Sequence, residues 1–204
     1  MDGQEYLNQI SSTVRPVKPP RKSILSSKFF MVGLIGAVAL IVIIILGAIL
    51  SGGKSDNKSL SYALKLHLNN TAEVIQTYQP EVKSSDLRSS SASLYSVLTN
   101  TERDLTNYLT ETYNFKDKDI PAGIVSEADT ERDGLESALF EAKINGILDR
   151  IYAHQMAHEI SLIMAEETKI YSASSNTTLR GLIDTSYNSL ENLYNKFNDF
   201  SETK

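Results

Sequence analysis

Hydrophobic positions in this chain follow two patterns. The first is an unbroken block, Phe29–Leu50, whose 22 residues are all apolar or glycine. The second, from residue 60 onward, is a set of apolar stripes recurring every three to four residues between polar positions, the period of amphipathic helices. Leu179, Leu182, Ile183, Ser186, Leu190, Leu193, Tyr194, Phe197 and Phe200 share one side of such a helix, with Asp184, Asn188, Glu191, Asn195 and Asp199 opposite. Leu87, Ser91, Leu94, Leu98, Thr101, Leu105, Tyr108 and Leu109 make a second stripe, and Leu60, Leu64, His67, Leu68, Thr71, Ile75 and Tyr78 a third. Breaks are predicted at Pro80, across Asn114–Gly123 with Pro121, and at Ser172–Asn176. The segment left between the last two breaks, Ser126–Tyr171, is long for one helix, and Asn145-Gly146 predicts a kink or break within it.

The apolar block predicts a membrane span. At about 1.5 Å per residue it reaches roughly 33 Å, against a hydrocarbon core of about 30 Å. Its six Ile, four Leu, three Val and two Phe favour insertion, by roughly 5 to 9 kcal/mol together. It exceeds a signal-peptide core, and Ile49 and Leu50 spoil the likeliest cleavage sites, so an uncleaved anchor is expected. Arg15, Lys18, Arg21, Lys22 and Lys28 precede it, while Lys54 and Lys58 alone follow within the same distance, which predicts the N-terminus inside and the C-terminal part outside.

Charge follows the same division. Residues 1–28 hold five basic and two acidic residues, and residues 51–204 hold 15 and 23, leaving the outer part acidic. The sequence therefore predicts a disordered basic cytoplasmic tail (1–28), a transmembrane helix (29–50), a linker (51–59), an extracytoplasmic helical bundle (60–200) and a short tail (201–204). The fold class is all-α: a single span followed by an up-down four-helix bundle. The basic tail lacks interleaved aromatics, which argues against nucleic acid and for the lipid bilayer as its partner. Gly33-x-x-x-Ala37 in the span allows close helix approach and a weak homodimer.

Catalytic templates fail early. Cysteine is absent, and neither a Gly-x-Ser-x-Gly elbow nor a phosphate-binding glycine loop occurs. His67, His154, His158, Glu159 and Glu166 are the candidates for metal, since His154 and His158 share one side of a helix and the two glutamates fall in an apolar sector with Leu148, Tyr152, Leu162 and Ile163. A ferritin-type di-metal centre needs Glu-x-x-His pairs, and the chain has none. No cofactor is implied.

The stretch Leu148-Asp-Arg-Ile-Tyr-Ala-His-Gln-Met-Ala-His158, followed by Glu166 and by Leu179 to Asn192, resembles a bacterial ferritin-like four-helix domain of unknown function found in secreted or envelope-anchored proteins. Asp149 and Tyr152 match that family's third helix, and Leu179 and Leu190 its fourth. The interval from Tyr152 to His158 is shorter than the family's, and Asn192 replaces its histidine. The resemblance covers Ile144–Phe200 and implies a bundle fold and an extracytoplasmic place; the family has no established activity, so the resemblance supports no enzyme. Together these features predict a non-catalytic binding or interaction module of the cell envelope, with an envelope or extracellular protein as partner. Two alternatives stand beside it: a metal-binding ferritin-like protein or enzyme, and a ligand sensor signalling through a cytoplasmic partner.

Overall fold

The computed structural model describes residues 57–200. The expected span, its basic flank Arg15 to Lys28 and the Gly33/Ala37 pair lie outside the described residues. Among the described residues no helix is long and apolar enough to cross a membrane. These residues form five helices: α1 (Asn57–Tyr78), α2 (Ser85–Tyr113), α3 (Ala122–Ile144), α4 (Leu148–Ala173) and α5 (Thr177–Asn198). No strand occurs among them, as the all-α reading expects. Helix α1 already begins at Asn57, inside the stretch read as linker.

Local chemistry sets the helix ends. Ser84 and Asn176 cap α2 and α5, their side chains accepting the amides of Leu87 and Leu179 at 3.3 and 3.0 Å. Pro80 turns the end of α1 into a single 3-10 turn, and Asn114 closes α2 with φ 53°.

The structure corrects the four-segment reading at Ser126–Tyr171. This stretch is two antiparallel helices, and α3 starts earlier, at Ala122. The reversal follows from Gly146, whose φ of 71° is a conformation that L side chains seldom adopt. Its amide donates to Lys143 O at 3.1 Å and that of Ile147 to Ala142 O at 3.0 Å, the paired bonds of a Schellman closure. With the carbonyls of α3 satisfied in this way, the chain turns and α4 starts at once.

Directions follow from contacts between helix ends. Asn57 Nδ2 donates to Ala173 O at 3.2 Å, so the start of α1 meets the end of α4. The carboxylate of Asp149 accepts the amides of Lys83 and Ser84, so the start of α4 meets the α1–α2 turn. Asn70 and Tyr78 donate to the carbonyls of Ala128 and Glu136, which sets α3 parallel beside α1. The helices thus alternate up and down. α1, α2, α5 and α4 close a ring of antiparallel neighbours, and α3 packs outside it on α1 and α4.

The core is where the stripes meet. All eight residues of the α2 stripe are buried, and in α5 Leu179, Ile183, Ser186, Leu190, Leu193 and Phe197 are buried with them. Tyr152 of α4 is wholly buried, its ring 6.4 Å from that of Phe197. Half-buried Lys65 pairs with Glu102 at 3.0 Å and Asp117 at 3.2 Å, fastening α1 to α2 and to the turn before α3.

Candidate functional site

A charged clamp joins α1 to α4. His67 is 8% exposed; its Nε2 lies 2.9 Å from Glu159 Oε2 and its Nδ1 3.1 Å from Glu166 Oε1. Glu159 and Glu166 stand two turns apart on one side of α4, so the imidazole fits between them. Ionised carboxylates only accept, so satisfying both contacts requires a proton on each ring nitrogen. Burial by itself would lower the His67 pKa; the charge of Glu166 and the bonds to both glutamates outweigh it and hold the ring well above the ordinary value of 6.5.

The third side of the clamp comes from α3. Glu131 and Arg132 approach His67 and Glu159 around a space of about 10 Å³, the room of one water molecule. Packing raises the Glu131 carboxyl, the His67 cation opposes that rise, and Glu166, Glu159 and Glu127 add to it, bringing it to about 7. Since Glu131 is exposed on one side, solvent weakens these couplings.

The candidate metal residues therefore divide. His67, Glu159 and Glu166 converge, whereas His154 and His158 line a separate pocket between α4 and α5. Among the described residues no three His, Asp or Glu side chains are arranged to hold a metal ion. Within the clamp the two carboxylates occupy opposite nitrogens of one ring, so a metal would have to displace a proton and one of these contacts.

Glu167 was not among the sequence candidates. It is 0% exposed, and its carboxylate oxygens make no well-formed hydrogen bond, the Ser186 hydroxyl beside them included. Burial pushes its carboxyl up to about 8; the Ser186 hydroxyl opposes the rise and the charge of Glu166 adds to it. Thr101 Oγ1 donates to Ser186 Oγ at 3.0 Å beside it. Glu131 was missed as well, although it stands four residues before buried Leu135 on one face of α3; splitting Ser126–Tyr171 into two helices reveals that face.

Two openings flank α5. On the α2 side a groove of about 660 Å³ runs above Thr101 and Ser186. Val97, Asn100, Asp104, Tyr108 and Glu111 form one wall and Gly181, Leu182 and Thr185 the other, so hydroxyls, amides and carboxylates are interspersed with apolar side chains. On the α4 side a cavity of about 310 Å³ is lined by Arg150, His154, His158, Tyr194, Asn198 and Phe200, among others, with no acidic residue among the described residues of its wall.

No protein-family model, curated protein or solved structure matches this chain.

Proposed function

We propose that the chain is a membrane-tethered, extracytoplasmic helical-bundle module of the cell envelope that binds a protein partner without catalysis. The tether rests on Phe29–Leu50 and the basic residues Arg15, Lys18, Arg21, Lys22 and Lys28 before it. The ferritin-like resemblance of Ile144–Phe200 supports the same placement.

One observation carries the binding reading: the open α2–α5 groove offers about 660 Å³, while the space among the titratable groups around His67 has room for one water. A cluster with so little space joins three helices through its charges. The groove is different. Gly181 and Thr185 keep the α5 wall low, so another backbone can approach, and Asp104 and Glu111 on α2 favour a partner segment with basic side chains.

Two measurements on the full-length protein test this. Protease added to intact cells should remove the bundle; protection of residues 57–200 would refute the extracytoplasmic placement. A photo-crosslinker at Ser189, in the groove wall, should give a protein adduct in intact cells that one at Ser137 of α3 does not. Asp104→Lys with Glu111→Lys should abolish the adduct, and an adduct insensitive to both charges would refute the groove.

A further inference from the structure

The cavity between α4 and α5 differs chemically from everything around it. The chain carries 25 acidic against 20 basic residues, yet among the described residues none of the acids lines this wall. Arg150, His154 and His158 stand at four-residue intervals along one side of α4. Arg150 and His154 are exposed and make no ion pair among the described residues, although acidic side chains are plentiful elsewhere on the bundle. His158 is only half-buried, but its Nε2 is shut off from solvent and has no hydrogen-bond partner.

Opposite this row, α5 and the residues after it supply rings: Tyr194, Phe197 and Phe200, with the Asn198 amide among them. Ala153 and Ala157 leave the α4 wall shallow between the basic positions. Arg150 and His154 thus share with these rings the lining of a space of about 310 Å³, a volume at the small-molecule end of natural ligand sites.

We infer that the α4–α5 cavity is a binding site for a small organic anion with a flat apolar body, such as an aromatic carboxylate. Arg150 is the group that meets the anionic end, since its planar fork matches two carboxylate oxygens. His154 extends the polar side with the His158 ring beside it, and the α5 rings cover the apolar body. The inference goes beyond the partner-binding reading and does not depend on it, because this cavity and the α2–α5 groove lie on different sides of α5.

Calorimetric titration of the full-length protein with benzoate, benzylammonium and inorganic phosphate tests it. Benzoate should bind saturably and raise the melting temperature, and the other two should bind at least about tenfold more weakly. Arg150→Gln should weaken benzoate about tenfold, and His158→Phe should weaken it too, while Lys143→Gln, which removes an exposed cation on α3, should leave it unchanged. Unchanged far-ultraviolet circular dichroism verifies that the variants fold. Equal affinity for benzylammonium or phosphate overturns the inference, as does benzoate binding that survives Arg150→Gln within about twofold. Retained benzoate binding in the Asp104→Lys/Glu111→Lys variant separates this site from the groove.

Discussion

The carboxylate of Asp149, in the first turn of α4, accepts the backbone amide of Ser84 at 2.7 Å and that of Lys83 at 2.9 Å. Ser84 in turn caps α2, so a single side chain fastens the start of α4 to the turn between α1 and α2. Asp149→Ala leaves two amides of that turn without their carboxylate, and it should lower unfolding stability by about 2 kcal/mol in urea titration. Asp149→Asn retains one acceptor oxygen and should cost about half as much.

Gly146 makes the second turn. A side chain at its φ of 71° is strained even though a Cβ would meet nothing within 4 Å. Gly146→Ala should therefore cost about 1 kcal/mol, read as a lower melting temperature, and Gly146→Asn should cost less because asparagine tolerates this conformation better. A loss equal to that of a buried leucine would show that space, and not backbone angle, limits the position.

Glu167 should make stability depend on pH. Its carboxyl rises from 4.5 to about 8 in the folded protein, so between those values the folded state holds a proton that the unfolded state releases. Stability therefore falls as pH rises through that window. Glu167→Gln cannot ionise and should flatten the fall. Glu167→Met, which also removes two unpartnered oxygens, should raise the melting temperature at pH 8.5 above that of the parent protein.

The clamp around His67 slopes in the same direction. Because its pKa is raised above the ordinary 6.5, its contribution is fully present below that value and is lost as pH climbs through the raised one. The groups facing it are Glu159 and Glu166 on α4 and Glu131 and Arg132 on α3, with Glu127 acting on Glu131. His67→Gln leaves the two α4 carboxylates without their cation and should cost about 3 kcal/mol at pH 7. Adding Glu159→Gln and Glu166→Gln should restore much of that loss, and an additive result instead would show that the three side chains do not act as a unit.

Much of this architecture was legible in the sequence, and the exceptions have physical causes. The α2 stripe is buried at all eight positions because that helix meets the bundle along one face. α1 packs against α2, α3 and α4, so Ser61, Tyr62, Asn70 and Val74 are buried beyond its predicted stripe. In α4 the buried line runs through Leu148, Tyr152, Met156, Ile160, Ile163, Glu167 and Ile170, one position round from the predicted sector, so Glu166 was selected and Glu167 passed over. A carboxylate on an apolar stripe is easily read as an interruption of it. The meeting of His67 with Glu159 and Glu166 spans 92 and 99 residues, and only the antiparallel approach of α1 and α4 brings these groups together.

The helix added by the Gly146 turn changes the parity of the bundle. With four alternating helices the chain would leave beside the place where it enters. With five, α5 runs in the same sense as α1, and its last turn lies a helix length, about 33 Å, from its first. Asn57 is therefore remote from Arg150 and Phe200, which lie near the opposite pole, so the first and last described residues mark the two extremities of the bundle.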